Sequence, residues 1–146
     1  MPASQESSSS IELQFRVGNE PATPDFDLAS LGSAPVPGPS PEGAWIREGP
    51  EFAALDDLRN SATHRMAGIP WDRVVAASGA ILAAGSKDLL VASHLTAALA
   101  WTRGYPGLVS GLKVVRDLLT HFSGSLYPRE ELARSITLQG LYLECE

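Results

Sequence analysis

Proline and glycine punctuation constrains this chain more than any other feature. From residue 49 onward, prolines stand at positions 50, 70, 106 and 128, and each opens an apolar stretch compatible with a helix. A proline at the first helical position costs little, because its missing N–H has no partner there and its φ is already helical. Glycines at 68, 104 and 124 fall where the preceding stretches should stop. Between these marks apolar residues recur at three- and four-residue intervals, and no pair of alternating segments is joined by a hairpin turn signal. The expectation is an all-α chain, a compact antiparallel bundle or stacked hairpins of about five helices with short loops.

The first helix is expected over about Pro50–Met66, with Phe52, Leu55 and Leu58 on one stripe. The second covers about Pro70–Gly85, its face made by Trp71, Val74, Val75, Ser78 and Leu82 with Ile81 beside them. Ser86 reads as the N-cap of the third, which places Asp88 in the first turn, near the positive end of the helix dipole. That helix runs to about Arg103. Leu90, His94, Ala97 and Trp101 form one of its stripes, and Val91, Leu95, Ala98 and Leu99 another. Apolar almost all round, it should be the central helix. In the fourth, about Pro106–Phe122, the inward stripe is Leu108, Leu112, Val115, Leu119 and Phe122. Gly107 and Gly111, four apart, would let a neighbouring backbone come close. The fifth covers about Arg129–Glu144, with Leu132, Ile136 and Leu143 inward, joined by Leu138 or Leu141.

The first 40 residues have a different composition. They hold 6 of the 11 prolines, the run Ser7–Ser10, and Arg16 against five carboxylates, so −4 of the chain's net −6 sits there. Such a segment buries too little apolar surface to offset its ordering entropy. A disordered, acidic Ser/Pro-rich leader over 1–40 is therefore expected, followed by one helical domain over 41–146. Ile11, Leu13, Phe15 and Val17 alternate with polar residues, and a fluctuating segment and a strand formed on a partner both stay open.

The search for chemistry is short. An acidic chain lacks the basic stripe that nucleic acid requires. The uncharged runs Val74–Ser86 and Leu89–Thr102 are too short for the ~20 residues of a membrane span. The single cysteine, Cys145, allows neither an internal disulfide nor a cysteine-based zinc cage. His64, His94 and His121 stand on three different helices with no second ligand at i+3 or i+4, and His94 reads as a core histidine with its hydrogen bonds satisfied. The adjacent pairs Asp56-Asp57 and Glu130-Glu131 point two ways on a helix and read as solvated charges. No nucleophile elbow, P-loop or dinucleotide fingerprint is present. No catalytic, metal or cofactor residue is expected, and the chain reads as a non-enzyme. The rival reading, a small helical enzyme or ligand-binding protein, would need a polar concave site among His94, Trp101 and Tyr105.

Five short motifs then stand in order: Trp71 with Val74; Ser86-Lys87-Asp88-Leu89 with Val91-Ala92; Gly104-Tyr105-Pro106-Gly107-Leu108; Gly111-Leu112; and Leu126-Tyr127-Pro128. Gly43 and Pro50-Glu51-Phe52 precede them. Over about residues 31–128 the chain resembles the N-terminal domain of the ImpA/TssA family of bacterial type VI secretion proteins. It departs from the family pattern at Ala44-Trp45, at His94–Ala98 and at Phe122–Leu126, and the likeness fades after Pro128. The resemblance implies a non-enzymatic, cytoplasmic component docked at the inner-membrane apparatus. That component would act in baseplate and sheath assembly by contacting other secretion proteins, with homo-oligomerisation left open. Full-length members continue into a ring-forming part to which nothing here corresponds, so a stand-alone adaptor or regulator derived from the domain is the alternative. Trp71, Ser86, Lys87, Asp88, Leu89, Gly104, Gly107, Leu108, Gly111, Leu112, Tyr127 and Pro128 are the motif positions, expected to serve structure or interaction. Asp88 and Ser86 are expected to cap their helix and Lys87 to be solvated.

Overall fold

The computed structural model describes residues 26–61 and 68–145. The alternating segment at 11–17 and His64 lie outside these residues. Five helices follow the proline and glycine marks: α1 (Pro50–Asn60), α2 (Trp71–Ala84), α3 (Leu89–Arg103), α4 (Tyr105–His121) and α5 (Glu131–Cys145). Pro50 and Pro106 occupy the first turns of α1 and α4. Pro70 is the residue just before α2. Gly104 alone separates α3 from α4, at φ 67°, a left-handed conformation that suits glycine. Helix α1 ends at Asn60, and the stretch expected to carry it to Met66 lies outside the described residues.

The central position of α3 follows from its composition. It packs against α2, α4 and α5, while α1 packs on α2. Every residue from Val91 to Leu99 is buried. Along the antiparallel α3–α4 seam, Gly107 sits against the Leu99 carbonyl and Gly111 against Thr96, so the two backbones are in close contact. The close approach expected at these two glycines is thus present, and Val115 and Phe122 of the expected stripe are buried, with Leu119 partly buried on the core. Leu112, expected inward, is instead 45% exposed. Val114 and Leu118 are buried alongside the glycines.

Helix α5 keeps part of its expected face: Leu141 is buried and Leu138 partly buried, while Leu132 and Ile136, expected inward, face outward, 72% and 60% exposed. Arg134 fastens the start of this helix by donating to the carbonyls of Ser123, Leu126 and Pro128.

The packed unit also begins earlier than residue 41. Leu31 and Val36 are buried, Phe26 rests on Gly79 of α2, and Gly32 lies against Val114 and Asp117 of α4. Lys113 reaches back to the Ala29 carbonyl at 2.9 Å. This proline-rich stretch crosses from α2 to α4 and closes one side of the core.

Candidate functional site

Three of the motif segments meet at one end of the bundle. The backbone N–H of Lys87 donates to the Glu42 carbonyl (2.7 Å), and that of Ala44 to Gly85 (3.2 Å). Leu89 N–H donates to the Tyr127 carbonyl (2.6 Å) and Tyr127 N–H to the Lys87 carbonyl (2.9 Å). Residues 42–44, 85–89 and 127 are thus knitted into a clasp by main-chain bonds, which hold whatever side chains are present.

Side chains lock the clasp from within. Asp88, fully buried, is the N-cap of α3: its Oδ1 accepts from the N–H groups of Leu90 (2.8 Å) and Val91 (3.4 Å). The same carboxylate receives a bidentate pair of bonds from Arg47, at 3.0 and 3.1 Å. A fork of this kind is both charge-assisted and directional. Ser86, expected to be the cap, is buried and its hydroxyl has no partner among the described residues. The cap sits two residues later because the chain stays extended through Asp88 while it pairs with Glu42 and Tyr127.

Lys87 overturns the expectation of a solvated side chain. It is 1% exposed, and its ammonium donates to the carbonyls of Leu31 and Leu82, both at 2.7 Å, with the Phe122 ring 5.7 Å away. Burial lowers its pKa to about 8 from 10.5. Because the folded chain binds this proton less tightly than the unfolded chain, Lys87 costs stability below pH 8, and that cost fades as pH rises toward 10.5. Wild-type stability should therefore gain on the order of 3 kcal/mol from this group across that window. In Lys87→Met the gain should vanish, leaving a flatter stability–pH curve in urea titrations between pH 8 and 10.5. Parallel curves for the two proteins would contradict the assignment.

The clasp presents a surface that the motifs did not reveal. Trp45, 47% exposed, meets the Tyr127 ring edge-on at 5.7 Å. Arg47 stacks over Trp45 at 4.7 Å and Arg129 over Tyr127 at 4.9 Å. With Pro128, Glu130 and Ala133 these side chains line an open pocket of about 620 Å³. Arg129 is also 3.6 Å from Glu42. Aromatic rings paired with guanidinium groups are the side chains most enriched at protein interfaces. Trp45 and Arg47 follow the Gly43 that precedes the five motifs, and that adjacency was the available signal. Arg47 lies 41 residues from Asp88, a pairing that spacing cannot show.

The remaining motif positions lie elsewhere. Gly104, Gly107, Leu108, Gly111 and Leu112 belong to the α3–α4 corner. Trp71 stacks on Trp101 with centroids 5.8 Å apart and planes 7° from parallel. His94 is buried as expected, yet its Nδ1 has no hydrogen-bond partner among the described residues. It stands 3.8 Å from Glu144, which also pairs with Arg59. Burial alone would raise the Glu144 carboxyl, but His94 and Arg59 outweigh it and hold it below its ordinary value. Trp101 lies on the pocket beside Ile69–Arg73, whose lining includes neither His94 nor Tyr105.

The motif segments thus define an all-α domain class: a helical bundle whose clasp carries an aromatic, arginine-flanked surface. Residues 33–142 match the family model of the N-terminal domain of ImpA, type VI secretion system, and the chain belongs to this family. The match extends past Pro128 to include most of α5. A solved structure, the N-terminal domain including the conserved ImpA_N region of the TssA component of the type VI secretion system from Burkholderia cenocepacia, is similar at 28% identity. The TM-score is 0.69, over 87% of this chain and 51% of that one. This chain thus spans about half the length of that structure. No curated protein sequence matches the chain.

Proposed function

We propose that this chain is a non-enzymatic interaction domain that helps assemble the baseplate or sheath of a type VI secretion system. It works in the cytoplasm, docked at the inner-membrane apparatus, and its partners are other secretion components. The observation that carries this reading is the Trp45–Tyr127–Arg129 surface, held in place by the clasp that the family motifs build. A rigid aromatic pair flanked by arginines loses little side-chain freedom on binding, which makes it an efficient docking face. No helix among the described residues is long and apolar enough to cross a membrane, in keeping with a docked component. The test is co-purification of the folded chain with the baseplate and sheath subunits of its own system. The double variant Trp45→Ala, Arg129→Glu should lower recovery by about tenfold or more, the loss typical of a truncated hot spot. A folded wild-type chain that recovers none of these subunits would refute the reading.

A further inference from the structure

The exposed apolar surfaces on the helices differ in the charge around them. The groove between α1 and α2, lined by Ile46, Ala54, Ala80 and Ile81, has Glu51 as its charged lining residue. On α5, the exposed Leu132 and Ile136 lie beside two arginines and two glutamates, Arg129, Glu130, Glu131 and Arg134, which balance. On α4, Tyr105, Val109 and Leu112 recur at i, i+4 and i+7, the first two 83% and 67% exposed. Arg103, Lys113 and Arg116 stand around this face, against Asp27 and Asp117, so one positive charge is in excess. Asp117 is buried beside Arg116, and Asp27 already accepts from the Ala29 N–H and the Ser30 hydroxyl.

The entering chain passes beside this α4 face. Lys113 holds the Ala29 carbonyl at 2.9 Å and Gly32 lies on Val114 and Asp117, so residues 29–32 run along the edge of the same helix. Phe26 rests on Gly79 of α2, and residues 1–25 precede it. Those residues carry Arg16 against Glu6, Glu12, Glu20 and Asp25, three negative charges in excess. They also hold the row Ile11, Leu13, Phe15 and Val17, whose spacing would put four apolar side chains on one side of an extended chain. From Phe26 to Val17 the chain can reach ~30 Å. The path required is shorter: at most ~11 Å back to Ala29, then across Lys113 to Val109 and Leu112, which lie within about one helical turn of it.

We propose that the segment Ile11–Val17 folds back along α4 and covers Tyr105, Val109 and Leu112. The apolar row supplies the attraction. The negative charge around it selects the basic face over the α1–α2 groove and the charge-balanced start of α5. Because the segment belongs to the same chain, its docking is intramolecular, at an effective concentration on the order of mM, and few contacts suffice.

Disulfide trapping in the whole chain tests this. With the native thiol removed by Cys145→Ser, Phe15→Cys is combined in turn with Val109→Cys, Leu112→Cys, Ala80→Cys and Ile136→Cys, and circular dichroism confirms the fold of each. A disulfide forms only where the two Cα atoms come within about 7 Å. Under mild oxidation, Val109→Cys or Leu112→Cys should cross-link to position 15 within one chain at least about tenfold faster than Ala80→Cys and Ile136→Cys, read as a shifted monomer band on a non-reducing gel. Adding Leu13→Asp should slow that cross-link by about tenfold. Equal rates at all four positions, a faster cross-link at position 80 or 136, or none at either α4 position would each overturn the proposal. So would cross-links that join two chains, which would put a second copy on the face instead.

Discussion

Asp88→Ala is expected to cost about 3 kcal/mol of stability, most of it by leaving a guanidinium without its partner. Three losses combine. The N-cap bonds to Leu90 and Val91 disappear, a change of roughly 1 kcal/mol. The bidentate bond from Arg47 is lost, and the arginine, 23% exposed, is left half-buried beside an apolar methyl group. Removing one member of a fully buried pair costs about 3–5 kcal/mol, and the partial exposure of Arg47 places this case below that range before the cap is counted. Asp88→Asn keeps the volume and a capping oxygen but not the charge, so it should cost about half as much. The urea midpoint of the two variants against wild type gives the answer. An alanine variant within 1 kcal/mol of wild type would mean that the carboxylate does not hold the clasp.

Gly111→Leu should be at least as damaging, by about 3 kcal/mol or more. A Cβ built at Gly111 would lie 2.6 Å from the Thr96 Cα, and the nearest groups are backbone or β-branched, with no flexible tip to move aside. The helices would have to separate along the best-packed seam of the molecule, at the upper end of overpacking costs. Gly124 supplies the control: nothing lies within 4 Å of its Cβ position and its φ is not positive, so alanine there should change the melting temperature little. Equal melting temperatures for Gly111→Leu and wild type would refute the tight seam.

The two variants also separate what sequence reading could reach from what it could not. Helix number, order and starts were legible, because Pro50, Pro70 and Pro106 act through their own backbone geometry and need no tertiary knowledge. The burial of α3 was legible for a similar reason, since a helix apolar on every side has one stable place. The faces of α4 and α5 were legible in part. The close approach at Gly107 and Gly111 and the inward Val115, Phe122 and Leu141 follow from spacing, but Leu112, Leu132 and Ile136 looked like core and face outward. In both helices, apolar side chains exceed what one neighbour can cover. Lys87 was unreadable because its partners are carbonyls of Leu31 and Leu82, which any residue could supply. The family motifs marked the clasp without showing its lock, since Arg47 and Asp88 meet only in three dimensions.

The clasp has a consequence for the order in which the molecule assembles. Helices α3 and α4 are joined by a single residue, so their contacts close short loops early and at low entropic cost. The clasp ties residues 42–44 to 85–87 and residues 87–89 to 127, and each tie closes a loop of some 40 residues. Such ties gain little until the helices between them have already met. The Trp45–Tyr127 surface therefore comes into being last, and local opening of the clasp would dismantle it first, with the helical core still standing.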